Sequence, residues 1–256
     1  MKNNKSNNQI KTAVLAIGSK SDPVLKDFKE YVEQSQIDAY SVFFLWEEDF
    51  GETIQVNDKG WTIKSEEVIL HEQVRGVLNR LVSQKGQKSK NEEVYCNILM
   101  YCNYLMDEVY PQVCNRPKDG MSNYSKLVQL ASIKPKVVKV PMTKVCANTQ
   151  WKEEYSELMW VFKSASSVRS IATILSKQDK KRQINEPVIF QEYLKGRNVR
   201  VHVIGDRCIA HFCISKKTDY RYGETSILPI VLPEDVKMDC IEITKQLGLN
   251  FSGIDL

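Results

Sequence analysis

The sequence predicts an α/β fold that becomes α+β toward its C-terminus, and three observations carry that prediction. Apolar runs alternate with helical periodicity along the first part of the chain. A strand-rich pattern follows residue 187. Composition is that of an ordinary globular protein, 42% hydrophobic and 27% charged, and 256 residues suffice for a sizeable core and two or three subdomains.

After an Asn/Lys-rich arm, the apolar run at 12–17 predicts the first strand. Asp22-Pro23 supplies an N-cap and a proline at the first helical position, and Val24, Phe28, Tyr31 and Val32 continue at helical spacing. A second strand at 40–45 completes a strand–helix–strand unit. Residues 49–60 read as an irregular acidic loop. The segment 73–82 carries Val74, Val77, Leu78 and Leu81, 83–91 reads as a polar surface loop, and 92–109 as a long helix. Cys114-Asn115-Arg116-Pro117 closes this region, with a subdomain boundary at 118–122.

A helix at 123–132, a strand at 137–141, an amphipathic helix at 150–158 and a strand at 159–163 continue the alternation. Three strands follow at 188–194, 199–204 and 207–214, the last two joined as an antiparallel hairpin through Gly205-Asp206. A helix begins at Pro233 and ends at Gly248, and 250–256 reads as a final strand. No internal repeat is present.

The net charge of +4, from 36 basic and 32 acidic side chains, is too balanced to indicate a nucleic-acid or membrane partner, although a modest excess suits an anionic ligand. No apolar run reaches the roughly eighteen residues of a membrane span, and the first ten residues lack a hydrophobic signal core. A cytoplasmic protein is expected. The seven cysteines are odd in number and contain no C-x-x-C, so they read as small buried hydrophobes rather than as disulfides or zinc ligands.

No G-x-x-x-x-G-K-[ST] and no G-x-G-x-x-G occurs, so a nucleotide would need another architecture. Lys126 and Lys163 stand at element ends, where two ammonium groups could neutralise adjacent phosphates. A lysine taken at random is more often a solvated surface residue. The connector Gln191-Glu192-Tyr193-Leu194, with Gly196 and Asn198 beyond it, joins two strands and offers main-chain groups to a purine edge. Strand alternation sets Arg200 and His202 opposite the core-facing Val199, Val201 and Val203. His202 and His211 have neither nucleophile nor metal spacing nearby and read as ordinary sheet residues. Lys216, Lys217 and Arg221 form a cationic cluster able to clamp a phosphoryl group, with a solvated loop as the alternative. Asp255 alternates with Ile254 and Leu256, which presents its carboxylate for Mg²⁺.

Taken together these segments resemble the ATP-grasp carboxylate-amine ligases, in particular the branch of the ribosomal-protein glutamate ligase and the microviridin-type (graspetide) peptide-maturing ligases. The resemblance covers roughly the latter half. It rests on the order and spacing of Asn115-Arg116-Pro117, Ser122-Asn123-Tyr124-Ser125-Lys126, Val140-Pro141-Met142-Thr143, Val161-Phe162-Lys163, Gln191-Glu192-Tyr193-Leu194, Asn198-Val199-Arg200, Val203-Ile204-Gly205-Asp206, Asp219-Tyr220-Arg221 and Gly253-Ile254-Asp255. It implies an ATP-grasp fold with an N-terminal α/β domain (1–118), a central subdomain (119–190) and an incomplete, mainly antiparallel C-terminal subdomain (191–256). By position, Lys126 and Lys163 would bind nucleotide phosphates. Gln191, Glu192, Tyr193 and Leu194 would hold adenine, and Asn198 stands where the family usually has an acidic residue near the ribose. Arg200 and Arg221 would serve the transferred phosphate and the substrate carboxylate, and Asp255 would be the first magnesium ligand.

Two departures accompany the resemblance. The loop Ser164-Ala165-Ser166-Ser167-Val168-Arg169-Ser170 lacks the glycines of the family's phosphate flap, and the sequence stops before a Glu-x-Asn that supplies the remaining metal ligands, so a truncated subdomain is expected. The implied cofactors are ATP and Mg²⁺. The implied reaction activates a carboxylate as an acyl phosphate for attack by an amine or hydroxyl, on a peptide or on an amino acid. Glu47-Glu48-Asp49 would attract a basic leader segment, or else form a solvated loop. A catalytically degenerate ATP-binding scaffold is the reading from another class, and a homodimer is left open.

Overall fold

A computed structural model describes residues 12–35, 37, 39–65, 67–81, 92–120, 125–146, 159–164, 173–174, 188–215 and 224–256. The chain divides into two units, Met1–Lys118 and Asp119–Leu256.

In the first unit, β1 (Ala13–Gly18) leads to α1 (Pro23–Gln34) and β2 (Ser41–Trp46). The Asp22 carboxylate accepts the Leu25 N–H at 3.1 Å, as the Asp-Pro pair predicts for a capped helix start. Next come β3 (Ile54–Val56), β4 (Gly60–Ile63), β5 (Glu67–Leu70), β6 (Val74–Arg80), α2 (Glu92–Tyr104) with a π-helical continuation (Leu105–Val109), and β7 (Val113–Cys114). A parallel sheet runs β2-β1-β6-β7. The central strand β1 buries residues of both faces (Ala13, Leu15, Ala16 and Ile17), which is why its sequence is continuously apolar rather than alternating.

Residues 49–60, expected as an irregular loop, instead contain β3 and open an antiparallel meander, β3-β4-β5. Three residues are too few to show an alternation, and the strand is held by the burial of Ile54, Trp61 and Ile69 in the core of this unit. The acidic run before it is tied to neighbouring segments instead of standing as a solvated loop. Glu47 is only 2% exposed and accepts the Tyr95 hydroxyl at 3.1 Å. Glu48 accepts Ser19 Oγ at 2.6 Å and the Lys20 N–H at 3.0 Å, and Asp49 pairs with Lys20 at 2.6 Å. Burial pushes the Glu47 carboxyl above its ordinary range; the Tyr95 hydrogen bond opposes the shift, and the negative charges of Glu48 and Asp22 add to it. Glu48 and Asp49 thus close the loop between β1 and α1, while Glu47 ties the run to α2.

A short helix, α3 (Pro117–Gly120), spans the division between the units. The second unit contains α4 (Lys126–Ser132), whose Ser125 hydroxyl caps the Val128 N–H at 3.3 Å, followed by β8 (Thr143–Cys146), β9 (Trp160–Ser164), β10 (Thr173–Ile174) and β11 (Val188–Glu192). These strands pair antiparallel in the order β10-β9-β11-β8. A second antiparallel sheet, β14-β13-β12-β15, is built from β12 (Asn198–Ile204), β13 (Arg207–Ser215), β14 (Thr225–Ile230) and β15 (Phe251–Asp255), with α5 (Glu234–Gln246) between the last two strands in sequence. The β12–β13 hairpin turns at Gly205, whose φ of +56° is readily adopted only without a Cβ. Val201, Val203 and Ala210 pack against Cys240 and Ile241 of α5, so this face of the sheet is core.

Two expectations are corrected here. The strand expected at 137–141 is absent, and β8 begins at Thr143. The N–H groups of Lys136, Val137 and Val138 instead converge on the carboxylate of Asp239 in α5, at 2.8–2.9 Å. Successive N–H groups of a strand point in opposite directions and could not share one acceptor. The edge strand β14 was not expected from sequence. It contains Pro229, which a strand tolerates at an edge because no ladder N–H is needed there. The helix expected at 150–158, residues 165–170 of the phosphate flap, and Lys216, Lys217 and Arg221 lie outside the described residues.

Candidate functional site

One cluster lies on the sheet containing β11. Pairing sets Gln191 opposite Thr143 on one side and Val161 on the other, with Lys163 opposite Ile189, so Thr143, Gln191 and Lys163 share a face. The Lys163 ammonium donates to Gln191 Oε1 at 3.3 Å, Gln191 Nε2 donates to Thr143 Oγ1 at 2.9 Å, and Thr143 Oγ1 donates to the Pro141 carbonyl at 3.0 Å. Each group orients the next. The relay anchors a flexible lysine to the backbone ahead of β8.

The connector beyond β11 is partly committed. The Glu192 N–H donates to the Met142 carbonyl at 2.9 Å and the Tyr193 N–H to the Met159 carbonyl at 2.8 Å, which ties the connector to both neighbouring segments. The Glu192 carboxylate also accepts the Met142 N–H at 3.3 Å. Among the described residues no hydrogen bond engages the Leu194 N–H, and Leu194 is exposed. A fixed strand end followed by an available donor suits the edge of a planar heterocycle. Asn198, at the start of β12, is exposed.

A second cluster lies on the β12–β15 face away from α5. Arg200 and Asp255, 55 residues apart, are paired in register, and Arg200 Nη1 donates to Asp255 Oδ1 at 2.9 Å. His202 lies beside Arg200, its Nε2 accepting from Arg200 Nε over a long 3.4 Å, and its ring stacks on Phe251 at 6.0 Å with 4° between planes. Burial pushes the His202 imidazole below its ordinary range, and the nearby charges of Arg200 and His211 act in the same direction. His211 pairs with Arg200 from the other flanking strand. The face therefore combines a cation, a carboxylate and a neutral ring.

Lys126 sits in the first turn of α4 and donates to Gln129 at 2.7 Å. Sequence reasoning overlooked the part of Thr143, the contact of His202 with Arg200, and the space that Gly253 leaves for the guanidinium. The pattern in β12 that set Arg200 and His202 on one face was the signal available for the second of these.

A family model described as an ATP-grasp domain matches residues 124–256. The fold is that of ATP-grasp ligase PsnB, solved with a minimal precursor (TM-score 0.75, 21% identity, 95% of this chain and 85% of that one). It is also that of macrocyclase MdnC from Microcystis aeruginosa, bound with precursor peptide MdnA (0.71, 17%, 95% and 86%). The Chryseobacterium gregarium RiPP-associated ATP-grasp ligase, in complex with ADP and a leader and core peptide, is similar as well (0.71, 18%, 95% and 84%). No protein of curated function matches the sequence significantly. The antiparallel sheets of the second unit and the matched segment together place this chain in the ATP-grasp family. Among the described residues no helix is long and apolar enough to cross a membrane.

Proposed function

We propose that the chain is an ATP-dependent ligase that activates a peptide carboxylate as an acyl phosphate and passes it to an amine or hydroxyl of the peptide. The observation that carries this reading is the pairing of Arg200 with Asp255 on the open face of a sheet whose other face is core. A guanidinium beside a carboxylate there can hold an anionic phosphoryl acceptor while the carboxylate faces a divalent cation.

In this reading Leu194 N–H meets the adenine edge, and Lys163, held by Gln191, lies along the phosphates with Lys126 as a second ammonium. Arg200, with Arg221 as the second guanidinium, draws the substrate carboxylate oxygen toward the γ-phosphorus. That oxygen bonds to phosphorus as the bond to ADP breaks. The attacking amine or hydroxyl then bonds to the acyl carbon, phosphate leaves, and one proton is released. Fixed cations near the transferring group stabilise the charge it develops without reorganising.

Among the described residues no group of three His, Cys, Asp or Glu side chains is placed to hold a metal ion. Asp255 alone fits Mg²⁺, which takes one or two carboxylates and completes its shell with phosphates and water. When bound, the ion would add positive charge between the phosphates. The reading includes a cytoplasmic protein with no nucleic-acid or membrane partner, and a homodimer as the oligomer to test.

Peptide substrates are favoured over free amino acids because the similar structures carry precursor peptides. The test supplies ATP, Mg²⁺ and either a candidate precursor peptide or free amino acids, and follows ADP release and peptide mass. The expected result is peptide-dependent ADP release and a product lighter by one water per bond formed. Amino-acid addition to the peptide would replace this reading with a glutamate-adding type of activity, ATP binding by calorimetry without turnover of either substrate would leave the ATP-binding scaffold, and failure to bind ATP would overturn both.

Gln191→Leu removes the link between Lys163 and Thr143. It is expected to lower turnover about tenfold, equivalent to about 1.4 kcal/mol, with little change in melting temperature. Steady-state ADP release beside a thermal melt checks it.

A further inference from the structure

Gly253 keeps an ordinary strand backbone, since it is not among the glycines with positive φ, so its missing side chain is not a conformational requirement. It is a steric one. A Cβ built on Gly253 would lie 2.0 Å from Arg200 Nη2, 2.5 Å from Cζ and 3.1 Å from Nε. The guanidinium therefore lies flat across β15 at Gly253 instead of standing off the sheet. Two of its nitrogens are engaged as well: Nη1 by Asp255 at 2.9 Å, and Nε by His202 Nε2 at 3.4 Å. His202 pairs in register with Gly253 and is backed by the parallel ring of Phe251. Arginine carries several rotatable bonds, and ordering them costs up to about 2 kcal/mol. A cradle of one glycine, one carboxylate and one imidazole acceptor meets that cost before substrate arrives.

We infer that Gly253 and His202 are positioning residues that fix the plane of the Arg200 guanidinium, and so set the approach of the substrate carboxylate. The catalytic use of that plane rests on the ligase reading above; the orientation itself does not. Because the Cβ of Gly253→Ala would meet only the far end of a flexible side chain, the substitution should swing the guanidinium away without unfolding the sheet. His202→Phe keeps a ring on Phe251 but removes the acceptor, whereas His202→Gln keeps an acceptor.

Arginine side-chain ¹⁵N NMR on the full chain tests the orientation, with the Arg200 signal assigned by its loss in Arg200→Lys. The expected result is a resolved, slowly exchanging Nε–H in the wild type and in His202→Gln, and an averaged one in Gly253→Ala and His202→Phe. A freely rotating wild-type guanidinium, or identical behaviour of the two His202 variants, overturns the inference. In peptide-dependent ADP release, Gly253→Ala should lose about 100-fold in kcat, the order expected for a misplaced group of about 1 Å, with ATP affinity unchanged. A restrained Arg200 in a wild-type chain that never turns over peptide would sink the ligase reading and leave the positioning role standing. Full turnover by Gly253→Ala would refute the role in the reaction.

Discussion

Lys163→Ala is expected to lower peptide-dependent turnover by about 10²–10³-fold while shifting stability by less than about 1 kcal/mol. The ammonium lies on a partly exposed face of the sheet, whereas the buried side chains of this sheet are apolar ones, Trp160, Val188, Ile189 and Phe190, so the core does not depend on it. In the ligase reading its charge works chiefly on the transferring phosphoryl group, where no water is equally well placed. Lys163→Arg should recover little, because a planar fork does not fill the place of a compact point charge at the end of the Gln191–Thr143 relay. Single-turnover ADP formation beside a thermal melt decides the matter. A drop in melting temperature that parallels the loss of turnover would mark Lys163 as structural.

Much of the architecture is legible in the sequence because local chemistry and global pattern agree there. Asp22-Pro23 starts α1 with its cap in place, Gly205 turns the β12–β13 hairpin, and the alternation of Val199, Val201 and Val203 with Arg200 and His202 sets the core face of β12. What escaped depends on partners distant in sequence. β3 is three residues long and is held by Trp61 and Ile69 rather than by its own pattern. β14 carries Pro229, a residue that argues against a central strand, and an edge position could be known only from the assembled sheet.

The candidate site divides in the same way. Lys163, Arg200 and Asp255 were each legible as a charge presented on a strand, but strand register is not written in any one segment. The 2.9 Å approach of Arg200 to Asp255 needs β15 to return beside β12 after an intervening hairpin and helix. The Gln191–Lys163 bond likewise requires β9 beside β11. Gly253 was visible only as part of a motif, because the reason for a glycine at ordinary φ is the side chain lying over it.

Asp239→Ala should destabilise the second unit by about 3 kcal/mol, since it strips the acceptor from N–H groups of Lys136, Val137 and Val138 around a carboxylate only 4% exposed. Burial pushes this carboxyl up, but the N–H donors of Lys136, Val138 and Val137 outweigh it, and the folded-state pKa lies below the ordinary carboxylate value. The sign of the pH dependence follows from that depression. The contribution is fully present above the unfolded value of about 3.9 and is lost as pH falls through the lower folded value. Asp239→Asn, which turns a donor NH₂ toward backbone donors, should therefore lie well below the wild type in denaturation midpoint at neutral pH, with the gap closing below about pH 4. Hydrogen exchange gives the local reading. The amides of Lys136, Val137 and Val138 should lose protection in Asp239→Ala before the paired amides of β12 do. Unchanged protection of those three amides would show that the segment is held by something other than Asp239.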